Sequence, residues 1–133
     1  MAKKILIVED DKMLCTIFQM FVQELDYELA GTVHTGTDAL NAVENDTDID
    51  VILMDIHLDG KLSGIETATY LEKNGFEIPV VFITGDGNPD TIEEATLPNV
   101  YGFIIKPVYM RNLGIAIELA CAKFAKSRKK YLN

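Results

Sequence analysis

Four stretches of this chain are apolar and each ends on a polar or charged residue. Ile5-Leu6-Ile7-Val8 precedes Glu9, Val51-Ile52-Leu53-Met54 precedes Asp55, Val80-Val81-Phe82-Ile83 precedes Thr84, and Phe103-Ile104-Ile105 precedes Lys106. A strand without polar alternation has no side to turn to water, so both of its faces must be covered, as in a parallel sheet packed between helices. The intervening segments supply those helices. From Asp11 to about Leu25, Leu14, Ile17, Phe18, Phe21 and Leu25 recur at helical spacing and define one apolar face. A shorter helix over Thr37 to Glu44 turns Ala39, Leu40 and Val43 inward. A third runs from Gly64 to Lys73 and stops at Asn74-Gly75. Asn88-Pro89-Asp90 starts a short fourth helix that Pro98 ends, and Met110 to about Lys126 makes the last. With Glu28 to Val33 as the remaining strand, five strands alternate with five helices through short connections. That order implies an α/β three-layer sandwich with right-handed crossovers, a single domain over residues 1–133. Periodicity leaves the strand order open.

Charge narrows the function. The formal net charge of −9 and a pI near 4.6 argue against direct nucleic-acid binding, which needs clustered cations. The basic run Lys123, Lys126, Arg128, Lys129 and Lys130 suits the end of a helix, where the macrodipole favours positive charge. No apolar run approaches the roughly 18 residues that span a bilayer, and the N-terminus lacks a signal-peptide core, so a cytoplasmic protein without a membrane partner is expected. Cys15 and Cys121 lie within apolar helical patterns and read as small buried hydrophobes. Tyr109 and the methionines read as packing residues.

Ligands of a doubly wound sheet bind beyond the carboxyl ends of its strands. The residues expected there are Glu9, Asp10 and Asp11 after the first strand, Asp55 after the third, Thr84 after the fourth and Lys106 after the fifth. Carboxylates crowded at one edge repel each other and call for a counter-charge. A hard divalent cation such as Mg²⁺ supplies it, and Lys106 adds a fixed positive charge. A carboxylate nucleophile, a metal, an ammonium and a hydroxyl together are what phosphoryl transfer to an aspartate requires.

These runs, with Gly102-Phe103-Ile104-Ile105-Lys106-Pro107 at the end of the series, resemble the response-regulator receiver family over nearly the whole chain. The resemblance is to a single-domain receiver of the chemotaxis-regulator type. It implies a flavodoxin-like fold with strand order 2-1-3-4-5, and a phosphorylation-dependent switch in a two-component phosphorelay. Asp55 resembles the phospho-acceptor, Asp10 the direct Mg²⁺ ligand, and Glu9 its partner acting through water. The backbone carbonyl of His57 would complete the protein's share of the coordination shell. Thr84 resembles the hydroxyl that closes on the phosphoryl group, and Lys106 the family's amine, followed by a cis bond to Pro107. Phe103 stands at the place of the switch aromatic. The implied partner is a sensor histidine kinase or a histidine phosphotransfer protein. The downstream target is unnamed, a homodimer is left open, and the chain catalyses only its own phosphorylation and dephosphorylation.

Each residue also has a plainer reading. Asp11 suits a helix cap, Thr84 alone would be an ordinary strand end, Phe103 would be core, and His34 and His57 would be loop or strand-end residues without metal spacing. The loop Ile56 to Gly64 is one residue longer than in many family members and carries Asp59 where proline is common. Gly85 replaces a frequent alanine, and Phe103 a common tyrosine. An aspartyl-phosphate phosphatase of the haloacid-dehalogenase type would place Asp-x-Asp after the first strand, where this chain has Asp10-Asp11-Lys12. A pseudo-receiver would lack some of Glu9, Asp10, Asp55, Thr84 and Lys106.

Overall fold

The computed structural model describes residues 2–132, with side chains described as far as Arg128. Its elements are β1 (Lys4–Val8), α1 (Lys12–Glu24), β2 (Glu28–Val33), α2 (Gly36–Asn45) and β3 (Val51–Asp55). They continue with α3 (Gly64–Lys73), β4 (Val80–Thr84), α4 (Pro89–Glu94), β5 (Val100–Ile105) and α5 (Met110–Leu132). All strand pairs are parallel, and the sheet order is β2-β1-β3-β4-β5. The three-layer α/β sandwich and the order 2-1-3-4-5 are therefore as expected.

The unbroken apolar runs divide their side chains between two cores. Ile5, Ile7, Leu53, Val81 and Ile83 point to the side closed by α1 and α5, where they meet Phe18, Val22, Leu113 and Ile117. Leu6, Val8, Ile52, Met54 and Phe82 point to the other side, closed by α2, α3 and α4 with Ala39, Val43, Ala68, Leu71 and Ala95. Strand alternation with a hydrophobe at every position is thus used in full.

The helix starts are fixed locally. The Asp11 carboxylate accepts from the amides of Met13 and Leu14, as its reading as a cap anticipates. Ser63 and Glu66 form a reciprocal capping box on α3, and Asn88 caps α4 ahead of Pro89.

Several details differ from expectation. Asp55 is the last residue of its strand rather than the residue after it, whereas a fourth strand over Val80 to Thr84 is as expected. The last helix continues past Lys126 to Leu132. Within the basic run, Arg128 is ion-paired with Glu77 and lies 6.0 Å from the Phe124 ring centroid, while the side chains of Lys129 and Lys130 lie outside the described residues. Cys15 is buried but Cys121 only half-buried. Tyr109, Met13 and Met20 do not pack inside but are largely exposed, because their positions fall on the outer faces of α1 and the β5–α5 turn.

Leu53, 1% exposed, sits on the central strand, whereas Leu119 is 51% exposed on α5. Leu53→Ala should lower unfolding stability by about 2–5 kcal/mol through lost burial and a residual cavity. Leu119→Ala should stay within about 0.5 kcal/mol of the parent. Denaturant melts of the two variants check the assignment of the core.

Candidate functional site

β1 lies between β2 and β3, so the chain leaves its carboxyl end in one direction while the next connection from β3 leaves in the other. The crevice opened by that reversal is where a doubly wound sheet binds ligands. Register places Val8 beside Met54, and Asp55 beside Ile83. Glu9 and Asp10 follow Val8 into the same crevice.

Glu9, Asp10 and Asp55 offer carboxylate oxygens that all lie within 4.8 Å of one another. Lys106 reaches in from the end of β5. Its ammonium donates to Asp55 Oδ2 at 2.7 Å and lies 3.0 Å from Glu9 Oε1. Glu9 and Asp55 are buried, at 1% and 6% exposure, and Thr84 is fully enclosed. One cation therefore faces three acids, two of them withdrawn from water.

The electrostatics follow from that imbalance. Burial drives the Glu9 carboxyl up to about 7 from an ordinary 4.5. The Asp11 amide, which donates to Glu9 Oε2 at 3.1 Å, and the Lys106 ammonium pull it down, while the charge of Asp55 pushes it up. Burial works against the Lys106 ammonium as well, but its hydrogen bond to Asp55 and its ion pair with Glu9 outweigh this and hold its pKa above the ordinary value. Glu9 Oε1 is buried and ion-paired, yet no donor is aligned with it for a hydrogen bond. A buried, under-coordinated carboxylate oxygen in a set of three acids is a donor set suited to a hard divalent cation.

Around this centre the loops are tied down. His57 donates its amide to Asp55 Oδ1 at 3.0 Å, and the Asp59 amide donates to Asp10 Oδ2 at 3.1 Å. His57 Nε2 meets Asp86 Oδ2 at 3.1 Å across the crevice mouth. The same Asp86 carboxylate accepts from Thr91 Oγ1 at 2.8 Å and from the Asn88 amide at 2.9 Å. The Asn88 amide first, then Thr91 and His57, hold the Asp86 carboxyl below the usual range. The Asp86 amide donates to Thr84 Oγ1 at 3.2 Å. Beneath Glu9, His34 Nδ1 at 2.9 Å and the Cys15 thiol at 3.0 Å both point at the Glu9 carbonyl oxygen.

The structure thus brings Glu9, Asp10, Asp55 and Lys106 into one cluster. Thr84 ends the strand next to β3, and Phe103 is half-buried on β5, packed against the core under α2, α3 and α4. The Lys106–Pro107 bond is cis. Sequence reasoning passed over His34 and Cys15 as supports of Glu9, since their shared target is a backbone oxygen that leaves no mark in residue types. The Asp86 carboxylate clasp was missed as well, although Asp86-x-Asn88 ahead of Pro89 is a readable turn signal.

The response regulator receiver domain family matches residues 5–118. This chain belongs to that family. Among curated relatives, the regulatory protein LuxO of Vibrio cholerae is 28% identical over 95% of this chain and 27% of its own length. The phyllosphere-induced regulator PhyR of Methylorubrum extorquens is 31% identical over 90% of this chain and 44% of its own. The chain therefore spans from about a quarter to less than half of these relatives. Among solved structures, the signal receiver domain of a modulated diguanylate cyclase from Desulfovibrio desulfuricans superposes with a TM-score of 0.86 at 31% identity. That match covers 96% of this chain and 99% of the other. A CheY-like receiver domain protein from Methanospirillum hungatei has a TM-score of 0.84 over 96% and 99% of the two chains; at 24% identity it speaks for the fold alone. Receiver domains are phosphorylation-dependent signalling switches of two-component systems, work with histidine kinases and generally are not enzymes. Among the described residues no helix is long and apolar enough to cross a membrane.

The raised Glu9 carboxyl makes stability depend on pH. Between about pH 4.5 and 7 the native state keeps a proton that the unfolded chain has lost. The contribution is therefore complete below pH 4.5 and lost as pH rises through 7, with a size of up to about 3 kcal/mol. In chelator-treated buffer, the stability gap between the parent and Glu9→Gln should shift in favour of the variant across that window. A pH-independent gap in denaturant melts would refute the assignment.

Proposed function

We propose that this receiver takes a phosphoryl group on Asp55 from a phosphohistidine of a sensor kinase or phosphotransfer protein, in the cytoplasm, and relays the change through Thr84 and Phe103. The observation that carries the reading is the Lys106 ammonium held between Asp55 and Glu9 at the switch-point crevice. An Asp55 carboxylate oxygen attacks phosphorus, the P–N bond to the donor imidazole breaks, and the imidazole leaves with the bond's electron pair and regains a proton. Lys106, already at hydrogen-bond distance from Asp55, is placed to meet a phosphoryl oxygen and offset its charge.

The donor set suits Mg²⁺, which Asp10, Asp55, Glu9 and the His57 carbonyl would hold. When bound it would screen the carboxylates from one another and neutralise charge on the transferring group. Glu9 favours that arrangement because its buried Oε1 lacks a hydrogen bond. Dephosphorylation by water would be the chain's own reaction, and His57 and Asp86, in contact at 3.1 Å, would flank the path of the attacking water.

For output, Thr84 Oγ1 now accepts from the Asp86 amide, so its hydroxyl proton is free to be offered to a phosphoryl oxygen. Such a turn would draw on the Asp86 amide bond and loosen the start of α4. Phe103 lines a shallow groove with Ile92, Ala95 and Thr96 beside that helix. Its ring carries no hydroxyl, so its inward and outward positions differ in packing alone, and the resulting surface change is small. Phosphorylation shifts these states only by its differential contacts with them.

With Mg²⁺ and acetyl phosphate the parent should gain one base-labile phosphoryl group, and Asp55→Asn should gain none by intact-mass measurement. Label retained by that variant would overturn the acceptor. Asp10→Ala should lose Mg²⁺ binding and phosphorylation, while melting no lower than the parent in chelator because like-charge repulsion is relieved. With a beryllofluoride phosphoryl mimic, NMR shift changes should centre on residues 88–106 and shrink in Thr84→Ala. An unchanged response in that variant would rule out the coupling through Thr84.

A further inference from the structure

The mouth of the crevice is built by side chains, but its floor depends on a position that has none. α3 begins directly beneath the end of β3. Its first residue, Gly64, donates its amide to the Ile56 carbonyl at 2.7 Å. A Cβ on Gly64 would lie 2.1 Å from the Asp55 carbonyl oxygen, 2.9 Å from Ile56 Cα and 3.0 Å from the Asp55 carbonyl carbon. All three are backbone atoms of the peptide that carries the phospho-acceptor. None belongs to a side chain that could swing away.

We infer that Gly64 is a positioning residue for phosphoryl transfer: its bare α-carbon lets the start of α3 press against the Asp55–Ile56 peptide and sets where the Asp55 carboxylate stands. The inference rests on the reading of Asp55 as the acceptor. A side chain at 64 requires the two backbones to separate by about 1 Å, and the question is which one yields. α3 is held by its capping box and by Thr67, Ala68 and Leu71, all at 0–1% exposure. Moving it means unpacking that face of the core. The Asp55–Ile56 peptide ends its strand: Asp55 pairs with Ile83 of β4 but has no partner on β1, so it yields more readily than the helix or the strand before it. Its displacement strains two contacts at once, Asp55 Oδ2 to Lys106 Nζ at 2.7 Å and Asp55 Oδ1 to the His57 amide at 3.0 Å. A nucleophile misplaced by about 1 Å can lose on the order of 100-fold in rate.

Gly36 supplies a matched control. A Cβ there would lie 2.2 Å from Thr67 Oγ1, 2.8 Å from Leu62 Cβ and 3.3 Å from the Leu62 carbonyl oxygen, a clash as close as that at Gly64 and in the same layer, but chiefly with side chains. Its neighbours, however, join α2 to α3 and leave Asp55 untouched.

The experiment compares the parent, Gly64→Ala and Gly36→Ala in phosphorylation by acetyl phosphate with Mg²⁺, normalised to the folded fraction from circular dichroism. The maximal rate is read separately from the half-saturating donor concentration. We expect both variants to lose stability. Gly64→Ala should lose at least tenfold in maximal rate with half-saturation little changed, and Gly36→Ala should keep the parental rate. A folded Gly64→Ala at the parental rate overturns the inference, and so does an equal loss in Gly36→Ala. If Gly64→Ala melts below the working temperature, the comparison is repeated in trimethylamine N-oxide, which favours compact states. Failure to fold even then makes Gly64 a folding residue and refutes a positioning role. Failure of the parent itself to accept a phosphoryl group sinks the reading of Asp55 instead, a separate result.

Discussion

The ammonium of Lys106 stands between Glu9 and Asp55, and much of the site is arranged around the fact that one positive charge cannot balance three carboxylates. Ionised acids withdrawn from water are tolerated only when paired or hydrogen-bonded. The chain meets that condition in part, by Lys106 and by backbone amides from Asp11, His57 and Asp59. The remainder is left unmet: burial pushes the Glu9 carboxyl up to about 7, and one of its oxygens has no donor aligned to it. A site left short of positive charge is prepared to receive it.

The fold explains how these groups meet although they are distant in sequence. Glu9 and Asp55 lie at the ends of adjacent parallel strands, and Lys106 continues β5, two strands away. Parallel pairing aligns carboxyl ends at one rim, and the long lysine stem spans the width of β4. Above and below, two separate cores anchor the strands, and the reacting groups stand at the carboxyl ends of those strands.

The legible portion of this design is the portion written in residue types. Unbroken apolar runs that stop on Asp55, Thr84 and Lys106 reveal buried parallel strands and the polar rim together, and the family's order of strands comes with the same motifs. Contacts made through the main chain are not legible in that way. The Asp59 amide reaches Asp10 through backbone geometry, and nothing in the letter D announces it. The His34 ring and Cys15 thiol converge on the Glu9 carbonyl from separate elements, a tertiary coincidence beyond local periodicity. Helix ends fared worse than helix centres: α5 runs past Lys126 because Ser127 to Leu132 contains neither glycine nor proline to stop it.

The clasp on Asp86 bears on the grain of any signal that leaves this domain. One carboxylate there satisfies Asn88, Thr91 and His57 together, while the amide of the same residue engages Thr84. A drift of the loop would strain several of these bonds together. On the proposed switching role, movement of the β4–α4 segment would then be a concerted step, and a population of such molecules would report its input as a headcount of flipped and unflipped copies instead of a graded bend in each.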